Sequence, residues 1–396
     1  MTERLYYADS LLLDFDAQVV GHGEWDGHHS VILNRTAFYP ESGGQLGDRG
    51  SLGGLEILDV QADANGQIHH LVAGELPEVG TQLSGEIEAT RRRQHMALHT
   101  GQHMLSRALL DVANAPTVSS RLGEHNCTVD VSVEELSEEK AWEACSLVNE
   151  VISEDRAIRA YVPDPAVLAS LPLRRDPKVE NEIRVVDVDG FDMSPCGGTH
   201  CLSTAQVGLV YVRSVERNKG GARVNFSAGQ RARLETSLDG HRLKALSDRF
   251  SCGPEGVKDA IENMQSALKE ANARANQMQK LYAASYVERL LQTCGETARL
   301  VASIPGADPA LLKQLSQQVV AKRSDAVVLL AGVVDGNRNV LIARGENSDF
   351  DCGRIMKILG EQNNGRGGGR PELAQGRIPT GGSWDDLVQA ALEALA

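Results

Sequence analysis

Two short segments constrain this chain more than anything else in it. His99-Thr100-Gly101-Gln102-His103 places two imidazoles four residues apart, and far downstream Cys196-Gly197-Gly198-Thr199-His200 places a thiol and an imidazole at the same spacing. On a helix, residues i and i+4 share a face, so the first pair can grip one ion from one side. The Gly-Gly-Thr of the second disfavours helix and suits a loop that folds both ends onto one point. His and Cys are the ligands zinc prefers, and the two pairs together complete a tetrahedral set of His99, His103, Cys196 and His200. A fold that uses them must therefore bring a helix and a distant loop together. Taken singly, a His pair at this spacing is more often an ordinary surface or core pair than a ligand pair, and a closed four-ligand site can also be a structural staple with no open position for water. Thr100 stands where a zinc-protease helix carries its glutamate base, which argues against a protease.

With 41% hydrophobic and 24% charged residues among 396, the composition is that of a globular protein long enough for two or three compact units. The longest apolar run, near Ala326 to Val334, falls far short of the roughly 20 residues a membrane span needs. Glu3, Arg4, Asp9 and Asp14 interrupt the amino terminus, unlike a secretory signal, so a cytoplasmic location with no membrane partner is expected. The seven cysteines are odd in number and scattered, which is no disulfide framework. A net charge of −14 argues against wholesale nucleic-acid binding, since phosphate affinity comes from cations. Local clusters are the exceptions: Arg91, Arg92 and Arg93; Arg174 with Arg175; the segment from Arg213 to Arg223; and Arg366, Arg370 and Arg377. Each is a candidate phosphate contact or else a solvated face.

Hydrophobic patterning predicts an α+β protein in four segments. In residues 1–90, short β-branched and apolar stretches (Ser30 to Leu33, Leu55 to Val60, His69 to Val72) alternate with Gly, Asp and Asn, the pattern of an amino-terminal β-barrel or sheet unit. Residues 91–250 form an α+β metal-binding domain. Met96, His99, His103, Leu105, Leu109 and Leu110 fall at helical spacing within Arg92 to Val112, as do Trp142, Ala144, Cys145, Val148 and Val151 within Glu134 to Ser153. Strand-like pieces follow at Ile183 to Val188, Gln206 to Val215 and Arg223 to Ala228. Residues 251–295 carry one long helix, Val257 to Cys294, whose stripe of Val257, Ile261, Met264, Leu268, Ala271, Ala275, Met278 and Tyr282 alternates steps of four and three. That stripe serves either packing on its own domain or self-association, a homodimer formed through 257–294 or through the carboxy-terminal domain. Residues 296–396 alternate strand-like and helix-like pieces around a Gly-rich loop and read as an α/β domain.

At its two ligand segments the chain resembles the editing domain of alanyl-tRNA synthetases and their freestanding relatives. Thr36-Ala37-Phe38-Tyr39-Pro40-Glu41-Ser42-Gly43-Gly44-Gln45-Leu46-Gly47-Asp48 is similar to the Gly-rich signature of that family's amino-terminal barrel. Gly365-Arg366-Gly367-Gly368-Gly369-Arg370-Pro371-Glu372-Leu373-Ala374-Gln375 resembles the Gly-rich loop of the last domain of the same synthetases. The 35 residues before Thr36 leave no room for an aminoacylation domain, so the resemblance is to the freestanding alanyl-tRNA editing proteins in their long form. It implies a trans-editing hydrolase that cleaves the ester of alanine tRNA wrongly charged with serine, with glycine a second candidate. It also implies Zn2+ on His99, His103, Cys196 and His200, either positioning the ester or activating water. Thr36 would recognise the serine hydroxyl, with Gln45 beside it in a catalytic pocket shaped by Gly43 and Gly44. Arg366 and Arg370 would approach the tRNA backbone. Two other readings stay open: a non-catalytic tRNA-binding protein with a structural zinc, and editing of another aminoacyl-tRNA such as Ser-tRNA(Thr). A family of metal-dependent phosphoesterases shares the last domain but carries an Asp-His-His motif, which Gly27 interrupts here in Trp25-Asp26-Gly27-His28-His29.

Overall fold

From Asp14 onward buried and exposed residues alternate, with Phe15, Ala17 and Val19 turned inward, and this period of two makes the first long strand, β1 (Asp14–Trp25). The computed structural model describes residues 2–177, 183–293, 298–334 and 336–395, and the chain divides into two units, 1–246 and 247–396. In the first unit β1 is followed by β2 (His28–Leu33), β3 (Gly50–Leu52), β4 (Leu55–Ala62), β5 (Ile68–Ala73) and β6 (Gln82–Ile87). Pairing runs β1–β2–β5–β4–β3–β6, and β6 returns antiparallel to β1, so the sheet closes on itself. Val31, Leu33, Leu52, Ile57 and Val60 fill its interior around Phe38.

Helix α1 (Ala89–Ala113) follows, and Asn114 ends it in the left-handed conformation with its N–H reaching the carbonyls of Leu109 and Leu110. Its first turn ties it to the strand cycle. The fully buried Arg92 guanidinium lies 2.6 Å from the Asp48 carboxylate and donates to the Ser10 carbonyl at 2.8 Å, while Asp48 also accepts the Tyr39 N–H at 2.6 Å. The Arg91 to Arg93 cluster is therefore not a phosphate-facing patch. Arg92 is interior, Arg91 binds the Gly47 carbonyl and Glu124, and Arg93 is the exposed one of the three.

After α1 come β7 (Thr117–Leu122), β8 (Cys127–Val131), α2 (Glu138–Ser153), β9 (Ile158–Tyr161), β10 (Val185–Val188), β11 (Asp192–Pro195), β12 (Val210–Asn218) and β13 (Gly221–Ala228). They build an antiparallel sheet of order β12–β13–β8–β7, packed on α1 and α2, and a smaller sheet β9–β10–β11. Ser137 caps α2 by accepting the Lys140 N–H, and the helix buries Ala141, Ala144, Val148, Val151 and Ile152. Trp142 lies off that face and is 56% exposed, so it is no part of the core to which helical spacing assigned it. Helix α3 (Gly229–Phe250) escaped the sequence reading because it buries little: Leu234 and Leu238 are exposed.

Residues 247–396 contain α4 (Val257–Thr293), β14 (Arg299–Ser303), α5 (Pro309–Lys322), β15 (Val327–Val334), β16 (Asn337–Arg344), α6 (Cys352–Gln362), β17 (Arg366–Gly369), β18 (Leu373–Pro379) and α7 (Trp384–Glu393). Cys294, expected at the end of the long helix, lies outside the described residues. The sheet order is β14–β15–β16–β18–β17. Within this sheet, among the described residues, β14 and β15 pair in parallel, joined through α5, and the other pairings are antiparallel, so the expected α/β domain is a mixed sheet. β15 reads as an unbroken apolar run because both its faces are covered. Val328 and Leu330 face the cluster of Leu312, Leu315 and Val319, while Val327, Leu329 and Ala331 face that of Ile355, Met356 and Trp384. The Gly-rich segment expected as a loop is largely hairpin: Gly367 pairs opposite Gly376, and a Cβ on it would lie 2.7 Å from the Gly376 Cα. Along α4, Val257 is buried but Met264, Leu268, Met278 and Tyr282 are at least half exposed. Among the described residues no helix is long and apolar enough to cross a membrane.

Candidate metal centre

On α1, His99 and His103 stand one turn apart, and the chain leaves β11 at Pro195 directly into the Cys196 loop. One ligand atom from each of His99, His103, Cys196 and His200 lies within 4.8 Å of the other three, a cluster able to hold a metal ion. Cys196 Sγ is 3.4 Å from His99 Nε2 and 3.4 Å from His200 Nε2. All three imidazoles are buried and the cysteine is half-buried. The close approach depends on Gly198, where a Cβ would overlap the His99 ring.

A second layer of side chains orients the first. Gln45 Oε1 accepts from His99 Nδ1 at 2.7 Å and from the Thr199 N–H at 3.3 Å, while Gln45 Nε2 donates to Thr199 Oγ1 at 2.8 Å. This fixes the His99 proton on Nδ1 and leaves the Nε2 lone pair turned to the cluster. Thr100 Oγ1 meets His200 Nδ1 at 3.2 Å and accepts the Cys201 N–H at 3.1 Å. His103 Nδ1 lies 3.6 Å from Asp192 Oδ2, too long for a hydrogen bond but within ion-pair range. Asp192 is itself held by Arg174 Nε at 2.6 Å and by the Ser194 hydroxyl at 3.0 Å. Burial opposes ionisation of Asp192, but His103 and Arg174 outweigh it and hold the carboxyl at about 2. Burial likewise pushes the Cys196 thiol up, and the imidazoles of His99, His103 and His200 overcome this to hold it well below its ordinary range, the thiolate state a metal ligand requires. Burial, reinforced by His99, lowers His200 to about 3 and keeps its ring neutral.

The Gly-rich signature is turn chemistry that delivers Gln45. Ser42 and Gln45 exchange backbone hydrogen bonds at 3.1 and 3.0 Å across Gly43 and Gly44, whose φ values of +59° and +87° are those of a two-residue type I′ hairpin. A cavity of about 290 Å³ adjoins the cluster, with His99, Cys196 and Gly43 in its wall beside Tyr7, Gln102 and Arg184. Arg184 Nη1 donates to the carbonyls of Cys196 and Gly198 at 3.1 and 2.9 Å, stiffening the ligand loop, and its guanidinium lies 5.3 Å from the Tyr7 ring centroid.

Thr36 is placed differently from the other residues singled out in the sequence. It is fully buried, and its hydroxyl pairs with His70 Nε2 at 2.8 Å and accepts the Phe38 N–H at 3.1 Å. It is not among the residues that line the cavity. Arg366 lies exposed on the edge strand β17, and Arg370 is exposed in the turn to β18. Of the other basic clusters, Arg174 is engaged by Asp192 and Arg223 by Asp130 at 2.7 Å. Sequence reasoning missed Asp192, Arg184 and Tyr7. Asp192, four residues before Cys196, had a position to recommend it, whereas Arg184 and Tyr7 carried no motif signal.

Three family models match the chain: tRNA synthetases class II (A) over residues 12–91, the threonyl and alanyl tRNA synthetase second additional domain over 183–225, and the DHHA1 domain over 296–396. The class is thus one that joins synthetase-type segments around a His/Cys metal centre to a DHHA1 domain. Over 100% of its length the chain is 28% identical to alanyl-tRNA editing protein AlaX-L of Pyrococcus horikoshii, covering 98% of that protein. It is also 30% identical, over 95% of its length, to alanine–tRNA ligase of Archaeoglobus fulgidus, and 31% identical, over 88%, to that of Trichodesmium erythraeum. It spans 42% of each of these two ligases. Along its whole length the chain is thus similar to a freestanding alanyl-tRNA editing protein, and it spans less than half of each alanine–tRNA ligase that it resembles.

Proposed function

We propose that the protein is a trans-editing hydrolase that cleaves the ester between alanine tRNA and a wrongly attached amino acid, serine first and glycine second. The observation that carries this reading is the placement of the His and Cys cluster in the wall of a cavity of about 290 Å³, with Cys196 and His99 bordering it. A structural staple would be closed to such a cavity, which weighs against a purely tRNA-binding protein.

The donor set fits zinc. Zn–S near 2.3 Å and Zn–N near 2.0–2.1 Å at tetrahedral angles require S···N edges of about 3.5 Å, and the edges from Cys196 to His99 and to His200 are both 3.4 Å. Held there by His99, His103, Cys196 and His200, zinc would supply Lewis acidity toward the ester carbonyl, or toward a water where one of the four ligands gives up its position. The chain's own residues do the rest. Gln45 holds His99 in the ligating tautomer, Asp192 faces the outer nitrogen of His103, and Arg184 keeps the Cys196 loop in register. Tyr7 and Tyr39 wall the space for the acyl end, with Gly43 adding no bulk. Arg366 and Arg370, on a strand edge where glycines leave the backbone bare, contact the tRNA phosphates. The exposed stripe of α4 favours self-association over packing on its own domain.

The test is a panel. Ser-, Gly- and Ala-charged alanine tRNA and Ser-charged threonine tRNA are incubated with the purified protein. Hydrolysis of the serine and glycine esters of alanine tRNA, with the alanine ester spared, supports the proposal. Preference for Ser-tRNA(Thr) would move the assignment to threonine editing, and binding without hydrolysis would leave a tRNA-binding protein.

A further inference from the structure

A site that distinguishes acyl groups by a hydroxyl needs a polar atom that is unengaged, shielded from bulk water and close to the metal centre. Thr36 fails on the first count. The other polar groups of the cavity wall are largely occupied: the Tyr7 hydroxyl by Arg4 at 2.9 Å, the Tyr39 hydroxyl by the Ser42 carbonyl at 3.1 Å, and Arg184 by the ligand loop. The Ser42 and Ser120 hydroxyls are less shielded, and the unpaired Arg184 Nε–H belongs to a guanidinium already bracing the ligand loop, which leaves Gln102 as the buried, half-engaged amide on the helix that carries His99. It sits on α1 three residues after His99, is 5% exposed, and lines the cavity. One end of its amide is engaged, Nε2 donating to Ser106 Oγ one turn further along at 2.8 Å, which fixes the amide plane. The other end, Oε1, has no hydrogen-bond partner among the described residues.

We infer that Gln102 is the specificity-determining residue of this site, its unengaged amide end hydrogen-bonding a hydroxyl on a short acyl side chain. The inference rests on the aminoacyl-ester reading above. Residues three apart on a helix are neighbours, so the amide and the His99 ligand serve one face of α1. A hydroxyl both donates and accepts, so it pairs with the amide end in either orientation of the Gln102 side chain. An acyl group bearing hydrogen or methyl in place of the hydroxyl leaves that end unpaired in a shielded position, the situation that penalises an analogue lacking the group. The α-ammonium common to all aminoacyl esters is better served by a carboxylate. Asp176, the carboxylate among the described lining residues, is exposed.

The experiment compares kcat/KM for the serine, glycine and alanine esters of one tRNA, using the full chain and its Gln102→Leu, Gln102→Glu and Ser106→Ala variants, with zinc content measured alongside. Gln102→Leu is expected to lower the serine-to-glycine ratio about tenfold or more, the value of one buried hydrogen bond. Gln102→Glu, which keeps an acceptor, should restore part of the ratio. Ser106→Ala frees the amide plane and should shift the ratio the same way by a smaller factor. It carries the test if Gln102→Leu loses zinc. A serine-to-glycine ratio within twofold of the parent in the zinc-loaded variants overturns the inference, as does an equal loss for all three esters, which would assign Gln102 to the common ammonium. A parent protein inactive on every ester overturns the aminoacyl-ester reading itself, an outcome distinct from both.

Discussion

Replacing Gln45 with leucine tests whether the strand cycle and the metal centre are one device. The side chain is fully buried and connects them through three hydrogen bonds, to His99 Nδ1 at 2.7 Å, the Thr199 N–H at 3.3 Å and Thr199 Oγ1 at 2.8 Å. Leucine fills the volume but leaves the His99 and Thr199 donors unpaired, at about 1–3 kcal/mol for each buried orphan. Part of that cost falls on folding. The part that falls on the ion follows from the loss of tautomer control at His99, and removing such an outer partner typically lowers metal affinity 10- to 100-fold, about 1.4–2.7 kcal/mol. Competition with a chromophoric zinc chelator reads the affinity directly, and thermal unfolding of the metal-loaded and stripped forms separates it from the folding cost. Gln45→Glu keeps an acceptor for His99 and loses the donor to Thr199, so it should retain most of the affinity. Zinc binding by Gln45→Leu within twofold of the parent would refute the reasoning and leave Gln45 a packing residue.

Four further outcomes follow from the same geometry. Gly198→Ala forces a Cβ into the His99 ring, so the purified variant should fold without stoichiometric metal; a full zinc complement by elemental analysis would show that the loop can yield. Thr36→Val removes the hydroxyl from His70 and should lower stability by about 1–3 kcal/mol while leaving the ratio of serine- to alanine-ester hydrolysis unchanged; a changed ratio would give Thr36 a role at the substrate. Burial lowers His70 from 6.5 to about 4. The unfolded chain therefore takes up its proton first, and stability complete above about pH 6.5 is lost as pH falls toward 4, by up to about 3 kcal/mol. A His70→Gln variant should show a correspondingly flatter loss of stability in urea titrations across that window, and an unchanged slope would remove His70 as its source. Arg366→Gln with Arg370→Gln should weaken tRNA binding and reduce the slope of log affinity against log salt by about one for each phosphate no longer neutralised, whereas an unchanged slope would place the phosphate-binding cations elsewhere.

The convergence of the helix and the distant loop was legible because ligand chemistry is written in residue types: few arrangements make use of two His and Cys pairs other than meeting. The helix α1 was legible for the same reason, since Met96, Leu105 and Leu109 repeat at its period. What lay beyond reach was the use to which ordinary residues are put by tertiary contacts. Arg92 read as part of a basic surface cluster, yet it is fully buried against Asp48. Charge is a property of composition, whereas burial is a property of the fold. Thr36 occupied the right motif and pairs with His70 instead of facing the cavity. Its position two residues before Phe38 turns it into the strand cycle. Gly197 and Gly198 were legible as loop residues, whereas Gly43 and Gly44 were expected to shape a pocket, and their turn, which delivers Gln45 to His99, required the structure. Helix α3 and the exposed run of α4 show the limit from the other side, because a helix that buries little leaves weak periodicity to find.

Hydrolysis of mischarged alanine tRNA at the four-ligand cluster is tested by metal removal and return. The protein is stripped of metal by chelation, the loss is verified by elemental analysis, and deacylation of Ser-charged alanine tRNA is followed before stripping, after it, and after one equivalent of zinc is restored. Hydrolysis should disappear with the metal, return with zinc, and fail to return in a Cys196→Ala variant. Hydrolysis that persists in verified metal-free protein, or that zinc restores equally to the Cys196→Ala variant, would contradict a metal-dependent reaction at the cluster.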